Sequence, residues 1–390
     1  MTDIDSGTTS DEPIAVAVVT GTRAEYGLLR PVMRAIADHP ILDLSVIAAG
    51  MHLISQGEHP PTVREIEREF EVVATVAMQD GTAIASRTAD VQALARGIAG
   101  FGNVFDSMCP DVVLVLGDRI EAFAAACAAG VGGTALAHAH GGDRAEGVAD
   151  ESMRHAITKL AHLHFPATKE SADRIIRLGE DSSRVHVVGS SAIDDLSGYS
   201  ALSDAELGAW ALRGDSPFAV VLHHPTGLDH HTEQVTMEAL LQALEGGNDA
   251  LPYVLLAPNH DPGRDAVMEA IGDRPVSGHL HRSRFVGLLK RCAVLVGNSS
   301  CGLIEAAALG VPVVNIGPRQ RGRERCRNVI DVTGPDAASL ESIADAMKRA
   351  LGLRSPFDHP YGDGHAGVRI ADVLAGLRDH QPVMRKCNTY

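Results

Sequence analysis

Val294-Leu295-Val296-Gly297-Asn298-Ser299-Ser300-Cys301-Gly302-Leu303-Ile304-Glu305 decides how this chain is read. An apolar, valine-rich run enters a loop of small residues and leaves it as a helix carrying Glu305. That is a strand, a turn and a helix in succession. Exposed amides and two hydroxyls at a helix amino terminus suit a diphosphate. Glu305, one turn inside, suits ribose hydroxyls as an acceptor, a task acidic residues perform in dinucleotide folds. The same residues also describe a plain serine cap, so the stretch gains weight only from its neighbours.

Working outward, the same alternation recurs almost from end to end. Ile14–Val19, Leu44–Ala48, Val72–Val76, Val112–Leu116, Ala135–His138 and His186–Val188 read as buried strands, with helical stretches at Gly27–Ala37, Ala89–Met108 and Ala149–Ala161 between them. Ser190–Ser216 breaks the rhythm with Gly, Ser and Asp. Phe218–Leu222, Tyr253–Ala257, Ala293–Val296 and Val311–Asn315 then restart it. The expected fold class is α/β, with two Rossmann-like domains whose parallel sheets face a central cleft. The expected divisions are a disordered tail (1–12), an amino-terminal domain (13–190), a carboxy-terminal domain (191–365), and a last helix with its tail (366–390).

Composition narrows the class. The 390 residues are 45% hydrophobic and 22% charged, as expected of a soluble α/β chain with a large core. A formal net charge of −16 argues against nucleic acid or anionic membrane as partners. The six cysteines show no C-x-x-C pairing and read as reduced thiols of a cytoplasmic protein. The uncharged run Ala122–Gly142 is long enough for a bilayer, but Gly130, Gly132 and Gly133 break it into helix, turn and strand. No G-x-G-x-x-G and no Walker lysine is present, which argues against NAD and against a P-loop.

The remaining motifs sit at strand ends, where such folds bind ligands. Thr20-Gly21-Thr22-Arg23 turns from strand into helix, and Gly117-Asp118-Arg119 ends a very apolar strand, where Asp118 also suits a helix cap. His138-Ala139-His140-Gly141-Gly142-Asp143 ends the next. Period two would put both histidines on one strand face, open to a metal-site reading or to His140 as acid, base or substrate ligand. Asp150, Glu151 and Arg154 open a helix a few residues on, and carboxylates beside a histidine are what acid–base chemistry needs. His223-His224-Pro225 and Pro258-Asn259-His260-Asp261 end two strands of the second half. Arg319, Arg321, Arg323, Arg325 and Arg327 crowd one segment of a chain with only 34 Lys and Arg, and arginine suits bidentate phosphate recognition.

GTRAEYGLL, LGDR, HGGD, DESMRHAITKLAHLHF, HHP, GNSSCGLIEA and GPRQRGR, in that order over about residues 14–335, resemble the hydrolysing branch of the UDP-N-acetylglucosamine 2-epimerase family, of the bacterial sialic- and legionaminic-acid type. The resemblance implies the GT-B fold and no metal or cofactor. It implies Asp118, Asp150, Glu151, Arg154 and His224 as catalytic residues, to which His140 is added from its place at a strand end. Ser299, Ser300, Glu305, Arg319, Arg323 and Arg23 follow as nucleotide or substrate ligands, with Arg119 and Asn259 added from their strand ends. Glu25-Tyr26-Gly27 stands where non-hydrolysing members place Pro-Glu and a downstream Lys, which favours the hydrolysing branch. The implied reaction converts UDP-N-acetylglucosamine and water to N-acetylmannosamine and UDP, through elimination to a glycal. Modified sugars such as a 2,4-diacetamido-trideoxyhexose, a GT-B glycosyltransferase and a non-catalytic nucleotide-sugar sensor stand as rivals. The expected assembly is a homodimer or homotetramer.

Overall fold

In the computed structural model, the described residues are 12–55, 60–80, 86–144, 150–213, 216–246, 250–259, 261–278, 280–379, 386 and 388–389. Almost all of the expected amino-terminal tail, and most of the chain after residue 379, lie outside them. Contacts divide the chain into two compact units. One comprises residues 1–143, 152–191 and 365–390, and the other residues 144–151 and 192–364.

The first unit holds six parallel strands: β1 (Ile14–Thr20), β2 (Leu42–Ala49), β3 (Val72–Val76), β4 (Val112–Leu116), β5 (Ala135–Ala139) and β6 (Leu163–Phe165). Their order is β3-β2-β1-β4-β5-β6, with Val18 of β1 opposite Val46 and Leu114. The central strands β1 and β4 are nearly continuous apolar runs because both faces are covered. Val16 and Val18 pack on the helix Arg23–Ala37 through Leu29, Val32 and Met33. Ala17 and Val19 belong to the opposite core, with Phe101, Phe105 and Ala125. A fully buried side chain of this size contributes roughly 1.5–3 kcal/mol, so the two-sided sheet dominates this unit's stability. The helix Ala366–Ala375 joins the first core through Ile370 and Leu374, and Gly367 lies directly on the Pro31 backbone.

His186–Val188 is not the sixth strand. That place belongs to Leu163–Phe165, and residues 185–188 run beside it, with an isolated bridge between His164 and Val185 and single bonds from His186 to the His164 carbonyl and Val188 to the Pro166 carbonyl. The uncharged run is a helix (Ile120–Gly132), a left-handed Gly133 and β5. Among the described residues no helix is long and apolar enough to cross a membrane.

The second unit repeats the plan with β7 (Ala219–Leu222), β8 (Tyr253–Leu256), β9 (Val276–Ser277), β10 (Val294–Gly297), β11 (Val313–Ile316) and β12 (Val329–Val332), ordered β12-β11-β10-β7-β8-β9. All pairings are parallel. The turn out of β10 depends on glycine: Gly297 has φ +143°, and a Cβ there would collide with the Leu222 carbonyl. Both units are thus doubly wound α/β sheets of the GT-B type.

Candidate active site

In the first unit, Asp118 leaves β4 just after Gly117, whose φ is +74°. Asp118 does not cap the helix that follows. Arg119 occupies the cap position, and Asp118 is instead ion-paired with Arg154. Arg154 is almost wholly buried and also donates to the Asp143 carbonyl at 3.0 Å. A guanidinium held this way orients the Asp118 carboxylate. Asp150 and Glu151 open the helix that carries Arg154.

The two histidines of the H-x-H motif part company. His138 stays within β5, buried, with Nε2 at 2.8 Å from the Gly117 carbonyl and Nδ1 at 3.2 Å from Thr158 Oγ1. Burial, followed by neighbouring histidines, takes its pKa down to about 3, so it is a neutral strut between β5 and the β4 turn. His140 lies beyond the strand end at φ 59°, so the period-two face stops at Ala139. Its Nδ1 is 3.4 Å from Asp143 Oδ2 and its Nε2 3.3 Å from Ser190 Oγ. Both His138 nitrogens are already engaged, which removes that residue as a metal ligand. Among the described residues no group of three His, Cys, Asp or Glu is placed to hold an ion.

The Gly21–Arg23 turn begins the first helix, with Thr22 as its cap. Arg23 pairs with Glu65, its Nε at 3.1 Å. Arg119 is exposed.

In the second unit, His224 is fixed at the end of β7. Its backbone N–H donates to Asn298 Oδ1 and its carbonyl accepts from Asn298 Nδ2, each at 2.7 Å. The Asn259 amide donates to His224 Nδ1 at 3.1 Å, which leaves the proton on Nε2. Burial first, then Arg319 and His223, lower its pKa to about 3, so the ring is a neutral donor. Asn259 in turn reaches Asp261, and Arg319 lies 3.5 Å from that carboxylate. Asn298 is held from its other side by Gln320, 2.8 Å from its carbonyl.

The small-residue loop leads into a three-residue 3₁₀ turn (Ser300–Gly302) and a one-turn helix (Glu305–Ala308), shorter than the sequence suggests. Ser299 and Ser300 are half-buried at its mouth. Glu305 is 5% exposed and accepts from Arg282 at 2.8 Å. Arg282, Asp261, Asn298 and Gln320 were not singled out in the sequence. Each acts through a partner, and of the four only Arg282 falls outside the recognised motifs. The arginines divide: Arg319 stands by Asp261, Arg323 is half-buried, and Arg321 and Arg325 line a separate cavity of about 900 Å³ with His223, Thr226, Asp331 and Thr333.

Each unit thus carries polar groups at its strand ends: in the first an aspartate clamped by arginine, in the second a neutral histidine donor and the Ser299-Ser300 turn with Glu305. Comparison with known proteins identifies the family. The chain belongs to the UDP-N-acetylglucosamine 2-epimerase family, whose profile matches residues 34–375. It is 36% identical to the UDP-N,N'-diacetylbacillosamine 2-epimerase (hydrolyzing) of Legionella pneumophila, over 96% of this chain and 99% of that one. It is 29% identical to the GDP/UDP-N,N'-diacetylbacillosamine 2-epimerase (hydrolyzing) of Campylobacter jejuni, over 81% and 83%. In fold it is similar to the UDP-GlcNAc 2-epimerase of Neisseria meningitidis crystallised with UDP-GlcNAc, with a TM-score of 0.75 at 18% identity, covering 93% of this chain and 99% of that one.

Proposed function

We propose that this enzyme is a hydrolysing 2-epimerase: it takes a UDP-sugar bearing a 2-acetamido group and water, and releases UDP and the free 2-epimerised sugar. The observation that carries this reading is the Asp118–Arg154 pair, a carboxylate set rigidly at a strand end of a family whose reaction inverts C2. Asp118, His140, Asp150 and Glu151 are assigned to proton transfer at the sugar, with the Arg154 guanidinium orienting Asp118. His140, held between Asp143 and Ser190, has a partner on each nitrogen through which a proton can pass. His224 donates through Nε2 to an oxygen of the substrate, with Asn259 fixing its tautomer. Ser299, Ser300 and Glu305 take the diphosphate and ribose, and Arg23, Arg119, Arg319 and Arg323 balance the leaving group's charge. Loss of UDP from C1 with removal of the C2 proton gives a glycal. Water then adds across the double bond with inversion at C2, and no redox cofactor or metal enters.

The sugar is either N-acetylglucosamine or a 2,4-diacetamido-trideoxyhexose. The 36% identity to a Legionella enzyme named for the second keeps it as the alternative. The family name and the Neisseria likeness support the first. Presenting both UDP-sugars in parallel and identifying products by NMR decides between them; no free sugar from either would end the proposal. We place the enzyme in the cytoplasm, in keeping with its free cysteines, as a homodimer or homotetramer. Val91 and Ile98, seven residues apart and exposed on the helix Arg87–Met108, offer an apolar contact face.

A further inference from the structure

Two carboxylates that the mechanism above does not use lie buried beneath the Gly21–Arg23 turn. Glu25, on the first turn of the helix Arg23–Ala37, accepts from the Gly21 amide at 2.7 Å through Oε2. Glu121, on the first turn of the helix Ile120–Gly132, accepts from Gln79 Nε2 at 2.7 Å through Oε1. Both are buried, at 4% and 0% exposure. Gly21 lies against both: its amide bonds one acid, and a Cβ on it would overlap the side chain of the other. Gly50 closes the far side, since a Cβ there would also strike the Glu121 carboxyl. Glu25 Oε1 and Glu121 Oε2 are left buried without a hydrogen-bond partner.

Two acids buried against the same glycine, each with an oxygen that finds no partner, disfavour a negative charge on Glu25. We propose that Glu25, buried beside Glu121 with one oxygen unpartnered, holds a proton in the resting enzyme, and that this proton keeps the Gly21–Arg23 turn neutral enough to receive the substrate's diphosphate. Glu25 and Glu121 are then positioning residues for anion binding and touch no substrate atom. Apart from Glu121, the charged group facing Glu25 is Arg119; His52, near the same strand end, is engaged by Thr20 and Thr62. Desolvation first, and Glu121 next among the raising causes, push the Glu25 pKa up to about 8 against the opposing Gly21 bond and Arg119. Above that pH the turn carries a second negative charge beneath the anion it has to hold.

The inference rests on the UDP-sugar reading, and its test separates the two. Infrared difference spectra of the ligand-free enzyme between pH 7 and pH 9 should show loss of a protonated carboxyl band, absent in Glu25→Gln. UDP affinity by calorimetry should fall with rising pH in the same interval, approaching about tenfold per unit once the proton is lost. Glu25→Gln should abolish that dependence, and Glu121→Gln, which removes the like charge facing Glu25, should move it to lower pH. UDP binding in two buffers of different ionisation heat at pH 8.5 should show proton uptake by the wild type and none by Glu25→Gln. A missing carboxyl band, or a pH dependence that survives in Glu25→Gln, overturns the proton on Glu25. Failure of UDP to bind at any pH, with the band present, overturns the UDP-sugar reading instead.

Discussion

Replacing Glu305 by alanine isolates the nucleotide cradle. Glu305 is assigned to the ribose, yet it is also the partner of Arg282 at 2.8 Å, so its loss has two consequences. Removing a charged acceptor from a ligand hydroxyl costs about 1–3 kcal/mol, or roughly 5- to 150-fold in UDP affinity. Leaving Arg282 without its carboxylate also costs stability. The pair is largely buried, at 19% and 7% side-chain exposure, but Arg282 keeps the Ala192 carbonyl as a second acceptor. That retained bond holds the loss below the roughly 3–5 kcal/mol of an abandoned buried charge. Calorimetry with UDP on Glu305→Ala, Arg282→Ala and the double variant separates the effects. The expected result is a 5- to 150-fold loss in Glu305→Ala and a smaller one in Arg282→Ala, which keeps the carboxylate that meets the ribose. Unchanged UDP affinity in Glu305→Ala, or equal losses in both single variants with none added in the double, would refute the ribose assignment and leave Glu305 as an anchor for Arg282.

Asp118→Asn should leave UDP binding nearly intact and cut turnover by about 10²-fold or more, the scale of a positioned acid or base; parallel loss of binding and turnover, by calorimetry and steady-state kinetics, would make Asp118 structural. Incubation with EDTA should leave turnover unchanged, and a loss restored by added zinc or manganese would return the H-x-H segment to metal binding. Stability followed by urea titration should fall as pH drops from about 6.5 toward 4. His52 and His223, held to about 4, and His138 and His224, held to about 3, stay neutral when folded while their unfolded forms take up protons. Glu25, raised to about 8, opposes this by gaining its proton in the folded state first, so Glu25→Gln should steepen the acid loss.

The alternation of valine-rich runs with helices made both sheets legible, because strands buried on both faces must be apolar throughout. Three strands escaped. Leu163–Phe165 has a central histidine and three residues, Val276–Ser277 has two, and Val329–Val332 contains Asp331, whose carboxylate is taken by Asn315 and Arg325. Such edge strands are set by the neighbour they pair with more than by their own pattern. At the site, the motif residues were legible by their places at strand ends. Their partners were not. Nothing local ties Arg282 to Glu305, or Arg154 to Asp118 across an intervening helix, strand and loop. The left-handed turn at His140 likewise hid its separation from the buried strut His138, since period two holds only while the strand lasts.

The most direct test of the account is the fate of the nucleotide and of C2 during turnover in D₂O, followed by NMR. The account predicts free 2-epimerised sugar carrying deuterium at C2, with UDP released in equal amount. An epimerised sugar still joined to UDP, or a free sugar with its original configuration and its proton at C2, would contradict it.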